Sequence, residues 1–465
     1  MLLVYQSMGS ALEDNDNVRN MRRILSVSEG FIHKKPGKTF YQVGESMSIT
    51  NRIRRLYLQY VKEEDIKKLA TVSLSHVRSL TVSHEAFHVL PALSSFPVLR
   101  VLDLNGCNKV DNHHCKDICN LFHLRYLRLC GTSVTEIPKE IANLQFLQVL
   151  DINSNEIEEL PSTFVQLQQL VYLLVPYHTR LPDGFGNLKS LQFFPGPISI
   201  RSPSMLRDLG RLSELRDIII SFGEWDDIYL KPLFQCLSNL VSLEHLAFND
   251  LCGNIDFGNE NFSPGLQELQ SLCISFDSLI AAAPRWISSL CSLSSVTISL
   301  LLLGDNDLRV LGSIPSLTYL SLWVEEPTQD RDKKLVIGNG YLFPCLTEFV
   351  VWHTMEVVMF GQGAMQKLQS IQFSICVQKT KDQFGEFEFG LENLTSLEFV
   401  SVGIYHGDAK PEEVEAAETA IRNAHLMNPN KPQLRLKKVT SSSMRYQTTP
   451  HNILREIERA EQQRN

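Results

Sequence analysis

Along most of the chain a six-residue pattern returns, L-x-x-L-x-L, in which Ile, Val or Phe can replace leucine. It opens at Ile53, Val77, Leu99, Leu124, Leu147, Leu170, Leu191, Leu215, Leu243, Leu269, Leu293, Leu317, Leu346, Leu368 and Leu397, at intervals of 21 to 29 residues. Alternating apolar positions over so short a run predict a strand with one buried face, and repetition at this period predicts stacked coils. The clearest copies are Leu99-Arg-Val-Leu-Asp-Leu-Asn-Gly-Cys107 and Leu147-Gln-Val-Leu-Asp-Ile-Asn-Ser-Asn155. Their ninth residue, Cys or Asn, can bond backbone groups in the turn leaving the strand. Leu191-Gln-Phe-Phe194-Pro195 puts proline inside the strand, which predicts an irregular coil or a break.

Between strands, Ile137-Pro138, Leu160-Pro161 and Leu181-Pro182 are each followed by apolar residues three apart, beginning at Ile141, Phe164 and Phe185. That spacing predicts short helical or 3-10 turns. The fold expected is an α/β solenoid, a leucine-rich-repeat horseshoe with a parallel concave sheet and short convex helices or 3-10 turns. Leucines at positions one, four and six point into an interior shared with adjacent coils. Each contributes roughly 1.5–3 kcal/mol against its ordering entropy, so one coil alone cannot fold and stability accumulates as coils stack.

Residues 1–50 read as a polar connector with a helix from Asn17 to Ser28, and residues 51–438 as the repeat domain. From about residue 410 a cap is expected, with a helix from Pro411 to Leu426 presenting Val414, Ala417, Ile421 and Ala424 on one face. Pro429 stops it, and Gln433-Leu434-Arg435-Leu436 adds a last strand. Residues 439–465 read as a disordered tail with some helix from Asn452 to Gln462.

Composition narrows the function. With 44 Lys and Arg against 52 Asp and Glu, the net charge of −8 gives no general attraction to nucleic acid or anionic lipid. The start Met1-Leu2-Leu3-Val4-Tyr5 does not read as a signal peptide, and the most apolar run, Val296 to Leu303, is far too short for a membrane span. The 10 cysteines are scattered singly, as buried thiols of a reducing compartment would be. A cytoplasmic protein is expected, with peripheral association with the plasma membrane left open. The sequons at Asn261 and Asn393 would matter only after secretion.

No chemistry stands out. Gly37-Lys38-Thr39 resembles the end of a phosphate loop, but Ile32 occupies the place of the required earlier glycine. His113, His114 and Cys115 with Cys107 and Cys119 carry metal-capable atoms, yet the repeat already accounts for Cys107 and the next turn for Cys119. No nucleophile elbow, H-E-x-x-H motif or paired-carboxylate signature appears. No catalytic site, cofactor, metal or small-molecule substrate is expected; the partner expected is a protein.

The outward positions of the ladder are the informative ones. At position two the first four coils carry Arg54, Arg78, Arg100 and Arg125, and Arg128 follows at position five of the fourth. With adjacent strands about 4.8 Å apart, this is a positive stripe suited to an acidic partner; the alternative is solvated charge balanced by local acids such as Asp103. Later coils turn aromatic residues outward, with Tyr319, Trp323, Trp352, His353 and Phe399 forming a candidate recognition surface. The alternative there is that both tryptophans pack under loops such as the insert from Glu325 to Tyr341.

The ladder's opening Ile53-Arg-Arg-Leu56, the copies at Leu99–Cys107 and Leu124-Arg-Tyr-Leu-Arg-Leu129, Val414-Glu-Ala-Ala-Glu-Thr-Ala-Ile-Arg422 and Asn428-Pro-Asn-Lys-Pro432 carry a family resemblance. Over residues 17 to 438 the chain resembles the repeat domain of plant intracellular disease-resistance proteins of the coiled-coil nucleotide-binding leucine-rich-repeat class, especially those of grasses. The resemblance implies recognition of a pathogen effector or a guarded host protein, autoinhibitory contact with a nucleotide-binding module, and release into immune cell death. The sequence itself carries neither the coiled coil nor the nucleotide-binding module, so nucleotide exchange is not implied for it; a fragment or truncated product would look this way. The alternative function is an intracellular signalling scaffold of the Ras-associated type, whose regular 23-residue coils are matched only from Leu124 to Leu170. An extracellular receptor domain would call for a signal peptide and paired cap cysteines.

Overall fold

The computed structural model describes residues 40–43, 53–58 and 72–439, apart from 224, 250, 252–256, 258–264, 275–277, 327–334, 353–357, 386 and 408. Two compact units meet the eye, one reaching Leu246 and the other starting at Ala247. In the first, strands Phe40–Val43, Arg55–Leu58, Ser79–Val82, Val101–Asp103, Tyr126–Arg128, Val149–Asp151, Tyr172–Leu174, Phe193–Ser199 and Asp217–Ser221 pair in parallel, each with the next in the chain. The second unit repeats the arrangement with strands Ser271–Ile274, Ser295–Leu302, Tyr319–Glu326, Glu348–Trp352, Ser370–Cys376, Phe399–Tyr405 and Gln433–Val439. Strand His245–Asn249 lies at the division.

Every one of the predicted ladder starts is followed, two residues on, by the first residue of a strand. The registers align Leu80, Leu102, Leu127, Leu150 and Leu173 as a single column, and none is more than 1% exposed. This is the shared interior that the leucine spacing requires. Opposite the strands, the proline-led segments form 3-10 turns at Lys139–Asn143, Ser162–Gln166 and Phe185–Asn187, with Ile141, Phe164 and Phe185 buried. Longer coils use α-helices instead: Asn112–Ile118, Pro203–Leu209 and Leu230–Asn239 in the first unit, Asp305–Gly312 and Val377–Phe384 in the second.

Position nine performs the backbone duty predicted for it. Asn155 Nδ2 donates to the carbonyls of Leu129 and Ile152 (both 2.8 Å), while its Oδ1 accepts from the Thr132 N–H at 2.8 Å. Cys107 Sγ, fully buried, donates to the Val82 carbonyl at 3.3 Å. Position five contributes as well: Asp103 and Asp151 accept the N–H of the residue two further on, Asn105 (3.0 Å) and Asn153 (3.1 Å), which starts the turn out of the strand.

Pro195 does not break its coil. Strand Phe193–Ser199 runs through it, and the register shifts between Phe194, opposite Ile218, and Pro197, opposite Ile219. Proline at a bulge loses no ladder hydrogen bond that a regular strand would make. The ladder also begins earlier than Ile53: Phe40–Val43, inside the segment read as a connector, pairs with Arg55–Leu58. The insert after Glu325 contributes Leu335–Ile337, which pairs with Val358–Phe360 in a separate two-stranded sheet.

The expected cap helix spans Pro411–Met427 and buries Val414, Ala417 and Ile421, three of the four residues its spacing selects. Strand Gln433–Val439 follows, aligned with Phe399–Tyr405. Among the expectations, the helices at Asn17–Ser28 and Asn452–Gln462, the tail beyond Val439, Gly37-Lys38-Thr39 and the Asn261 sequon lie outside the described residues.

The polar turn built by Asn155 can be tested by urea unfolding. Asn155→Ala leaves the Ile152 carbonyl and the Thr132 N–H without their partner, and the Leu129 carbonyl with only the Thr132 hydroxyl, and should cost about 1–3 kcal/mol. Asn105→Ala, on an exposed side chain, should change stability by less than about 0.5 kcal/mol.

Candidate protein-recognition surface

Arg54, Arg78, Arg100 and Arg125 are all exposed, and the structure stacks them coil on coil. They stand one residue ahead of their strands, on the rim of the sheet rather than on its face. Each lends its carbonyl to the next coil: the Arg78 and Ser79 N–H groups donate to Arg54 (2.8 and 3.1 Å), those of Arg100 and Val101 to Arg78 (2.8 and 3.0 Å), and those of Arg125 and Tyr126 to Arg100 (2.8 and 3.0 Å). Gln148 and Val149 donate in the same way to Arg125. The backbone is therefore pinned at the base of every guanidinium. None of the four side chains has an ion-pair partner among the described residues. Such a column repels itself, by roughly 1 kcal/mol per close pair in water, unless an acidic surface covers it.

Arg128 stands apart from the other four. Its register places it on the sheet face between Asp103 and Asp151, and its Nε lies 3.2 Å from Asp151 Oδ2. Both carboxylates are buried, which raises their pKa above the ordinary range, while their turn N–H groups and Arg128 work against that rise. Arg128 is thus half-buried and satisfied inside the first unit, the local balancing by Asp103 that the sequence offered as an alternative.

Further along the same unit, the sheet face closes over ionisable groups that the pattern does not single out. Asp217 is buried, its Oδ1 without a hydrogen-bond partner, and its pKa is pushed up to about 7 by burial and secondarily by the Glu244 carboxylate. Glu244 itself pairs with Arg216 at 2.6 Å. On the neighbouring strand His245 is 3% exposed, and burial pulls its pKa down to about 4.

In the second unit the aromatic positions separate into two columns. Trp323 and Trp352 are direct register partners. Flanking them at the same level are Ser299 on one side and Ser374 and Gly403 on the other. Tyr319 and Phe399 occupy the third-position column, but Glu348 and Ser370 come between them. Tyr319, Trp323 and Phe399 are half-buried on the face, and His353 lies outside the described residues. In register the two tryptophan positions are adjacent and are flanked by small residues, so the aromatic positions do not form a continuous stripe.

The rejected metal set resolves into ordinary structure. Asp111 caps helix Asn112–Ile118 by accepting the N–H groups of His113 and His114, and the His114 ring nitrogen lies 2.7 Å from its carboxylate. Cys115 and Cys119 are buried, with Cys119 held in the thiol form. Among the described residues no group of three His, Cys, Asp or Glu could hold a metal, all described cysteines are free, and no helix is long and apolar enough to cross a membrane. Asn393 is half-buried and its Nδ2 donates to the Phe360 carbonyl at 2.8 Å, so that sequon serves the fold.

The chain belongs to the leucine-rich-repeat family: the model of the leucine-rich repeat region matches residues 76–434. Leucine-rich repeats are a protein-interaction fold. Among proteins of known role, the chain is similar to the rice disease resistance protein RGA5, 29% identical over 81% of this chain and 34% of that one. It is similar also to the rice disease resistance protein PIK6-NP, 27% identical over 85% of this chain and 42% of the relative. The chain thus spans well under half the length of these relatives. A solved internalin from Listeria monocytogenes aligns with a TM-score of 0.46 at 15% identity, over 81% of this chain and 88% of that one.

The buried Asp217 and His245 give the first unit a pH signature. An aspartate with a raised pKa stabilises the fold fully below its ordinary value and loses that contribution as pH rises through about 7. A histidine with a lowered pKa acts oppositely, removing stability as pH falls from about 6.5 towards 4. Asp217→Asn should therefore raise the urea midpoint at pH 8, with the gain shrinking towards pH 4. It should also expose the fall in stability on acidification that belongs to His245. An equal midpoint shift at pH 5 and pH 8 would contradict the assignment.

Proposed function

We propose that this chain is the protein-recognition portion of a plant immune receptor, without chemistry of its own. It meets a pathogen effector, a guarded host protein or a nucleotide-binding module in the cytoplasm. The observation that carries this reading is the self-repelling arginine column on the rim of the first unit, combined with similarity to rice disease resistance proteins over more than four-fifths of the chain. A solvent-facing stack of like charges costs stability and gives nothing back inside the fold, so selection for a partner accounts for it better than selection for folding. The tryptophan pair of the second unit supports a second contact, because rigid aromatics bury much area with little loss of rotamer freedom. Relatives that bear on the Ras-associated scaffold are not among these matches, and the irregular coils beyond Leu170 fit the immune reading better.

The arginine column suits docking onto an acidic nucleotide-binding module, and the aromatic end suits effector contact. Mixing the chain with a separately expressed nucleotide-binding module of a similar rice protein should give association that weakens steeply with salt. Replacing Arg54, Arg78, Arg100 and Arg125 together by Glu should reduce it by at least about 2 kcal/mol, and unchanged binding would remove the docking role. Trp323→Ala with Trp352→Ala should leave the urea midpoint nearly unchanged while lowering capture of an effector. A collapsed fold would instead make the two tryptophans part of the core.

A further inference from the structure

The interior of the second unit is dry along its length and then wets at its last strand. From Leu272 and Ile274 through Val400 and Val402, the fourth- and sixth-position residues of successive strands are at most 1% exposed. Leu434 and Leu436 continue both columns on strand Gln433–Val439, in register with Val400 and Val402, yet both are only half-buried. The cap helix Pro411–Met427 packs against helix Val377–Phe384 and turn Leu391–Asn393 of the coil before it. Asn428, just past its end, donates to the carbonyls of Leu391 (2.8 Å) and Leu394 (3.0 Å) in the same turn. The leucines of the last strand therefore keep an open side. At the end of the cap helix, where the His425 ring meets the Pro432 carbonyl, Leu426 and Met427 are 63% and 74% exposed. Two leucines left half in water forgo part of the burial that holds every earlier coil.

We propose that the chain's own segment Asn452–Gln462, outside the described residues, docks as a helix on this open side, with Ile453, Leu454 and Ile457 covering Leu434 and Leu436. Its sequence supplies the matching surface. Ile453, Leu454, Ile457 and Ala460 recur at three- and four-residue spacing and share one helix face, which Glu456 and Glu458 flank. Arg455 and Arg459 fall on the opposite face. The strand offers the complementary charge, with Arg435 and Lys437 alternating with its leucines. Length fits as well. Thr440 to His451 are twelve residues, up to about 40 Å of extended chain, against about 23 Å for the strand along which the segment returns. A helix of eleven residues is too short to hold itself in water, so it forms only where its apolar face is covered. A second copy or a separate partner would have to displace a segment tethered at high effective concentration.

The test uses the full chain and hydrogen–deuterium exchange read by mass spectrometry. Ile453→Asp with Ile457→Asp should speed exchange of the Gln433–Val439 amides at least about tenfold, while the earlier strands keep their rates. Arg455→Asp with Arg459→Asp, on the far face, should leave the last strand as slow as in the wild type. A second measurement is independent of stability: Leu436→Cys with Ile457→Cys should form a disulfide under mild oxidation, identified by peptide mass, and Leu436→Cys with Arg455→Cys should not. Equal exchange of the last strand in the wild type and in the Ile453→Asp, Ile457→Asp variant overturns the docking, as does equal cross-linking from the two helix faces. Protection that grows with protein concentration overturns the segment in favour of a second copy. None of these substitutions touches the arginine column or the tryptophan pair, so failure here leaves the recognition reading standing.

Discussion

Parallel register between coils is the constraint on which everything else in this molecule depends. One carbonyl at the second ladder position accepts two N–H groups from the following coil, and that bond pair recurs from Arg54 to Gln148 and again from Gln270 to Gln369. It fixes each strand against the last without slippage, so leucines 22 to 25 residues apart in the chain become neighbours in one dry column. A strand moved by a single residue would turn that column out to water and bury the charges. The interior and the rim are consequences of the same alignment.

This explains why the chain can carry costly features on its surface. Interior packing accumulates coil by coil, so a rim of guanidinium groups without an ion-pair partner among the described residues draws only a little from stability held elsewhere. Where charge does enter the sheet, the fold treats it differently. Asp103, Arg128 and Asp151 sit at one level of three successive strands, where Arg128 pairs with Asp151 and its charge offsets part of theirs, whereas Asp217 is left with an oxygen lacking a partner. A satisfied triad and a strained carboxyl occupy the same sheet because register, not local sequence, decides which side chains meet.

That distinction marks how far the sequence could be read. The leucine positions, the proline-led turns, the polar service of Asn155 and the buried face of the last helix depend on residues close in the chain or on a constant period, and they were legible. Arg128 looked like a fifth member of the positive stripe because its partner lies 23 residues away, at a place only the register reveals. Asp217 and His245 belong to outward ladder positions and give no sign in the sequence that they are covered. Strand Phe40–Val43 carries Phe-Tyr-Gln-Val without the preceding leucine, so the pattern passes over it.

The bulge at Pro195 shows how the architecture handles irregular length. Two additional residues are absorbed inside strand Phe193–Ser199, and the pairing on either side resumes with Ile218 and Ile219 adjacent. The disturbance does not propagate, because each coil is held only by its immediate neighbours. Insertions and deletions in such a molecule stay confined to the coil in which they arise, so the outer turns can lengthen or shorten in evolution while the phase of the ladder is kept.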